Sequence, residues 1–197
     1  MHMYQKRNNH FRILALFLAD YTKQLYLREI SKLSKIPLKT TQNIVYHLEN
    51  KKILKSSISG KNKYFKLNLG NISTKFLLIQ SELYKTWLFL EKYGTFKIFL
   101  GEIESNAPLL VFGSFAKFQA DKDSDLDLLV VLEEKQKLPF YLLPYKIHEI
   151  RLSVKDFISA INKQEALIKE VGGNHIILNN HSFYVNMLWS HYGKQKP

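Results

Sequence analysis

The sequence predicts an α+β protein in two parts: a basic helical head that ends in a hairpin, and a small mixed-sheet domain behind it. Three observations predict this. Positive charge is concentrated at the start of the chain. Helical periodicity over residues 11–50 gives way to a strand–turn–strand pattern over 51–67. Farther on, two short apolar strands flank Gly113-Ser114 and the pair Asp125 and Asp127.

With 197 residues, 46% hydrophobic and 13% aromatic, the chain is long enough for one ordinary domain or two small ones around a real core. The net charge is +12, and its placement is uneven: residues 1–70 carry 14 Lys and Arg against the acids Asp20, Glu29 and Glu49, whereas residues 71–197 carry 15 against 14. A generally basic protein would spread that excess. The asymmetry predicts a nucleic-acid-binding part joined to a part with another task. No apolar run reaches the roughly 18 residues of a membrane span. The apolar stretch Phe11–Ala19 is followed by Tyr21-Thr22-Lys23-Gln24 rather than by a small-residue cleavage site, so a signal peptide is not expected. The chain has no cysteine, which excludes disulfides and thiolate zinc sites and fits a reducing, cytoplasmic compartment.

Within the head, Phe11, Leu14 and Leu18 mark the apolar face of a first helix over residues 11–19. Leu27, Ile30, Leu33 and Ile36 recur at threes and predict a second, stopped before Pro37 because proline pushes its predecessor out of the helical region. A third follows over about 38–50, with Leu38, Ile44, Val45 and Leu48 as its buried stripe. Lys39, Thr40, Thr41, Gln42, Asn43, Tyr46 and His47 are left for its exposed side. The segment Lys51–Lys55, a Gly60-containing turn and Tyr64–Leu67 then read as a hairpin. This order resembles the winged helix-turn-helix family over about 60 residues. The resemblance implies that the third helix enters a DNA major groove, with its polar side chains reading base edges. Lys61 and Lys63 would sit at the tip of the wing near phosphate or a minor groove. DNA, or RNA, is the expected partner; docking to protein through the same faces is the plainer alternative.

Residues 73–92 predict a strongly apolar helix, capped by Ser73 or Asn71 and broken at Gly94, with a second helical piece over about 95–105. It is expected to pack between the two modules or to form a dimer seam. The expected division is 1–70 for the head, 71–105 for a helical connector and 106–197 for the last domain.

The chemistry concentrates in residues 108–132. Leu109–Phe112 predicts a buried strand, Gly113-Ser114 a turn, Phe115–Phe118 a short helix, and Leu128–Leu132 a second strand opened by Asp125-Leu126-Asp127. Residues two apart on a strand share a face, so the two carboxylates stand side by side. Their repulsion calls for a counter-charge, which a hard divalent cation with oxygen ligands supplies. Gly113 lets the backbone approach a phosphate, and Ser114 and the amides of the new helix can hold phosphate oxygens. A lone Asp-x-Asp is more often a surface turn; the Gly-Ser before it, between two apolar strands, argues otherwise.

This segment resembles the nucleotidyltransferase superfamily of DNA polymerase beta, above all its minimal members and kanamycin nucleotidyltransferase, whose hallmark is Gly-Ser, about ten residues, then Asp-x-Asp. Ser124 fits the Ser-Asp-x-Asp form of small members. The resemblance implies Mg²⁺ (or Mn²⁺) on Asp125 and Asp127, a nucleoside triphosphate as substrate, phosphate contacts from Gly113, Ser114 and Lys117 (the last nominated by proximity), and transfer of a nucleotidyl group with release of pyrophosphate. Two departures stand out. Phe118 occupies a place where small members often have glycine. A third carboxylate from the next strand, Lys146–Leu152, is also missing its usual aspartate. Glu149 and His148 compete for that role and point to opposite faces; charge chemistry favours Glu149 as ligand or general base, and His148 in its place leaves the metal site short of one anion.

From Ser153, the expected cap, a helix is predicted to run to about Glu170 and to stop at Gly172-Gly173. His175–Leu178 predicts a strand, and His181–Tyr192 a terminal helix. His175, His181 and His191 lack a metal-ligand spacing. The function expected is Mg-dependent nucleotidyl transfer to an unspecified acceptor by a domain with a DNA-binding head. Two alternatives stay open: a DNA-binding transcriptional regulator with a nucleotide-sensing or inactive transferase domain, and an antitoxin-like protein with a small helical toxin-type partner. A homodimer is compatible with the head.

Overall fold

The computed structural model describes the backbone over residues 2–132 and 137–194 and the side chains over 8–132 and 137–193. It divides into two compact units. One runs up to Tyr84 and takes in the chain again from Leu188; the other is Lys85–Met187. The division falls inside the long helix of residues 72–92.

The first unit opens with α1 (His2–Leu14) and a 3-10 turn, Ala15–Phe17. A two-residue strand, β1 (Leu25–Tyr26), leads into α2 (Leu27–Ser34) and then α3 (Leu38–Asn50). The break between α2 and α3 has a local cause. Lys35 adopts a left-handed conformation at φ 53°, and Pro37 sets the first turn of α3. Arg12 donates to the Ser34 carbonyl at 2.6 Å, and the Thr41 hydroxyl to that of Ile36 at 3.1 Å. These bonds satisfy carbonyls that a helix end leaves open. The hairpin β2 (Leu54–Ser59) and β3 (Asn62–Leu67) turns through Gly60, at φ 58°, with Ser59 opposite Asn62. Strand β1 joins its other side, giving the order β1-β3-β2. Asn71 caps α4 (Ile72–Lys92), its side chain accepting from the Ser73 amide at 3.0 Å.

Three positions in this unit differ from the periodicity reading. Leu38 is 45% exposed, and Thr41 takes its place in the buried stripe of α3 beside Ile44, Val45 and Leu48. Thr41 is therefore not on the exposed face where the sequence reading put it. Its hydroxyl is already used by Ile36, which makes burial of a polar group tolerable there. Leu33 is half exposed, because α2 ends one residue later and only Ile30 of its middle stays fully inside.

The second unit centres on a four-stranded sheet of β4 (Leu109–Phe112), β5 (Leu126–Val131), β6 (Ile147–Leu152) and β7 (Ile176–Asn179), in the order β6-β5-β4-β7. Strand β4 runs antiparallel to both β5 and β7, whereas β5 and β6 are parallel. Leu109, Val111, Leu126, Leu128, Val130, Ile176 and Leu178 pack with Phe89, Phe96, Phe99 and Phe115. Leu110, Leu129, Val131 and Ile177, at the alternate positions, are buried as well. Burial on both faces is why β4 and β5 read as unbroken apolar runs rather than as alternations. Helix α5 (Thr95–Gly101) and the one-turn α6 (Gly113–Ala116) complete this part.

After β6 the sequence reading expects one helix, and the structure has two, α7 (Val154–Lys163) and α8 (Ala166–Gly173). Ser153 caps α7, its hydroxyl oxygen accepting from the Asp156 amide at 3.0 Å. Gln164 then turns left-handed at φ 54° and ends it. No glycine or proline marks that break, so periodicity ran through it. Helix α9 (His181–Lys194) closes the described chain. No helix among the described residues is long and apolar enough to cross a membrane.

Candidate functional site

The Gly-Ser turn and the acidic pair meet at one end of the second unit's sheet. Strand β4 ends at Phe112, which pairs with Asp127 across the antiparallel ladder. Gly113 then turns at φ +66°, a conformation that side chains resist. The turn also lies hard against the acid: a Cβ on Gly113 would fall 2.1 Å from Asp127 Oδ2 and 3.1 Å from its Cγ. Glycine is thus required twice over, by its backbone angle and by the carboxylate seated on it.

Phe115 anchors the turn from behind. It is 1% exposed and meets Tyr145 and Tyr93 with ring centroids 4.8 and 5.2 Å apart. Phe118 has φ +59°, the left-handed region in which glycine is the undemanding choice. The ring offsets that cost through packing on Tyr93 and Phe89, at 6.4 and 6.2 Å, and its carbonyl accepts from Lys92. It is thereby drawn into the aromatic cluster. Ser114 is half-buried on the short helix, and Lys117, which caps its end, is exposed.

The chain reaches β5 through a second turn. Ser124 donates to Asp121 Oδ1 at 2.8 Å, and that oxygen also accepts from the Asp123 amide at 3.1 Å. The Ser124 and Asp123 hydrogen bonds hold the Asp121 carboxyl below its ordinary range. Ser124 therefore shapes the loop that delivers Asp125.

Strand β6 supplies the rest of the site. It runs parallel to β5 with Asp127 beside His148 and Leu128 beside Glu149. His148 Nδ1 lies 3.1 Å from Asp127 Oδ1. Lys146, just before β6, reaches Asp125 Oδ2 at 3.0 Å. Glu149 falls in the alternate register and accepts from Arg151 Nε at 2.7 Å. The pleat thus corrects the preference for Glu149 as third acid: bringing it to Asp127 would require a one-residue slip that turns the whole strand over. Lys146 was not singled out by motif, although it sits two residues before His148 and so shares its face. Among the described residues no three His, Asp or Glu side chains gather in a group that could hold a metal ion. The donor set offered is the carboxylate pair. Two carboxylates suit one hard cation whose remaining positions are filled by phosphate and water.

In the first unit the polar side chains of α3 are sorted by the helix. Lys39, Thr40, Asn43, Tyr46 and His47 are exposed, Gln42 is half-buried and Thr41 is inside. Lys61 is exposed at the hairpin turn. Lys63 is committed: it pairs with Glu49 at 2.8 Å and lies 5.2 and 5.3 Å over the Tyr46 and Phe65 rings. Ser56 also donates to Glu49. This network ties the hairpin to α3. Burial raises the Glu49 pKa, but the Lys63 and Ser56 hydrogen bonds and the lysine charge outweigh it and hold it below its ordinary 4.5. A depressed carboxyl contributes stability above its unfolded value, lost as pH falls through the folded one. Glu49→Gln is therefore expected to lower stability by about 1 kcal/mol at neutral pH and to flatten the loss below pH 4.5; chemical denaturation at pH 7 and pH 3.5 checks this.

Residues 102–183 match the family model described as polymerase beta, nucleotidyltransferase. The matched segment spans β4 through β7 and reaches into α9, and so contains the whole Gly113-to-His148 site. It supports a general nucleotidyl-transfer function for this part of the chain. No curated protein and no solved structure matches the sequence.

Proposed function

We propose that the chain is a nucleotidyltransferase whose first unit is a winged helix-turn-helix that holds DNA. One observation carries the enzymatic half: Asp125 and Asp127 stand at the head of β5 against the Gly113 turn, inside the segment that matches nucleotidyltransferases. Asp125 and Asp127 would hold one Mg²⁺ or Mn²⁺, which supplies Lewis-acid stabilisation of phosphate charge when bound. The Gly113 backbone, Ser114 on the following helix and Lys117 at its end would contact phosphate. An acceptor oxygen forms a bond to the α-phosphorus of a nucleoside triphosphate, and the bond from that phosphorus to the bridging oxygen breaks. Pyrophosphate leaves with the electron pair. His148, held through Nδ1 by Asp127, offers its other nitrogen to the acceptor's proton, a role that Glu149 cannot take from the opposite face. A pyrophosphate-release assay with ATP, GTP, CTP and UTP tests this; release that depends on Mg²⁺ or Mn²⁺ supports the reading, and no release with any of them in the presence of nucleic acid opposes it.

The order α1-β1-α2-α3-β2-β3 with sheet order β1-β3-β2 supports the head's assignment. Lys39, Thr40, Asn43, Tyr46 and His47 form the face for base edges, flanked by Gln42, and Lys61 the phosphate contact of the wing. Lys61→Ala is expected to weaken DNA binding and lower the slope of log K against log salt by about 1. Lys63→Ala acts differently, by freeing the hairpin from α3. Anisotropy titrations at several salt concentrations check both, and an unchanged slope in Lys61→Ala removes the wing from the interface.

One observation favours a second reading. Lys146 and His148 face the carboxylate pair, and among the described residues no three acidic or histidine side chains gather in a group that could hold a metal ion. A nucleotide-sensing regulator would bind triphosphate without turnover while reading an operator.

A further inference from the structure

The sheet places Lys146 and His148 on the same face as Asp125 and Asp127, one residue opposite each acid. Lys146 Nζ is 3.0 Å from Asp125 and His148 Nδ1 3.1 Å from Asp127. A second divalent ion in such a cleft needs anions to share between two ions held about 3.5–4 Å apart. This strand supplies a cation and an imidazole at the two positions from which such an anion would come. The nearest acid in sequence, Glu149, lies beside Leu128 and is occupied by Arg151 at 2.7 Å.

We infer that strand β6 makes this a one-cation site, in which Lys146 and His148 occupy the ground of a second ion and Lys146 transfers from Asp125 to the triphosphate. The inference rests on the nucleotidyltransferase reading of the same cleft. The Lys146–Asp125 pair is suited to such a transfer. The two side chains are 82% and 47% exposed, and exposed ion pairs are weakly held. Once a divalent ion takes over the Asp125 charge, the ammonium loses the carboxylate it pairs with, and the triphosphate brings new anions to the same cleft. A point charge on a flexible four-carbon stem can follow it there. Part of the triphosphate's charge is then met by the protein itself, so nucleotide binding survives removal of divalent ions in weakened form.

The test counts bound Mn²⁺ by electron paramagnetic resonance on the full chain. The probes are the four nucleoside 5′-(α,β-imido)triphosphates, added one per chain. One ion per complex is expected for the native protein, and a second is gained in His148→Asp, which restores an acid beside Asp127. Lys146→Ala is expected to weaken the analogue at least tenfold in EDTA while the ion count stays at one. Two ions in the native complex, no second ion in His148→Asp, or unchanged analogue affinity in Lys146→Ala overturns the inference alone. Failure of the native chain to bind any analogue, with or without Mn²⁺, overturns the nucleotide reading as well. Both substitutions lie at exposed side chains, and circular dichroism shows whether the fold is retained.

Discussion

Gly113→Ala will leave a folded protein that no longer binds nucleotide normally. The new methyl group would fall 2.1 Å from Asp127 Oδ2, and φ +66° disfavours any side chain. The left-handed cost is about 1–2 kcal/mol. The clash, by contrast, is with the end of a short side chain, so the carboxylate yields rather than the sheet. The expected result is a small drop in stability and a clear loss of nucleotide affinity, because the displaced Asp127 carboxylate no longer stands where it would hold the metal. Urea denaturation and nucleotide titration on the same preparation separate the two effects. Unaltered nucleotide affinity in this variant would mean that Asp127 is not part of the site.

Asp125→Asn combined with Asp127→Asn is the second large effect. The shapes are preserved and the two charges are removed. Lys146 and His148 each lose an ionised partner, but these contacts are exposed and contribute little to stability. Metal-dependent nucleotide binding is expected to fall by more than about 100-fold, beyond what loss of outer-shell partners alone produces at metal sites. DNA affinity, which is proposed to reside in the other unit, should be unchanged. Calorimetric titration with Mg-nucleotide and anisotropy titration with DNA read the two functions independently.

The parts of the molecule that were legible in the sequence are those with a period or a punctuation mark. Pro37 marked the break before the third helix, although left-handed Lys35 is what ends the second; Gly60 placed the hairpin turn, and Ser153 capped α7 where expected. Glycine, serine and two aspartates at their spacing located the turn and the acidic pair that the structure brings together. Other features were written less plainly. Strand β1 is only two residues long and exists because β3 offers it an edge, a tertiary cause that leaves no periodicity. The break at Gln164 has no breaker residue. The choice between His148 and Glu149 was a matter of parity: the strand was found, but only its register against β5 decides which alternate set faces Asp127. Charge chemistry preferred the glutamate, and pairing geometry put it on the other face with Arg151. Lys146 followed from that same parity. Thr41 looked like surface because it is polar, although its hydroxyl had the Ile36 carbonyl within reach to offset burial.

The most direct measurement is isothermal titration of the native chain and the Asp125→Asn/Asp127→Asn variant with ATP, GTP, CTP and UTP, with and without Mg²⁺. The account predicts that at least one triphosphate binds the native chain, that Mg²⁺ strengthens it, and that the Mg²⁺ effect disappears in the variant. Native protein that binds no triphosphate, or a variant that keeps the full Mg²⁺ effect, contradicts it.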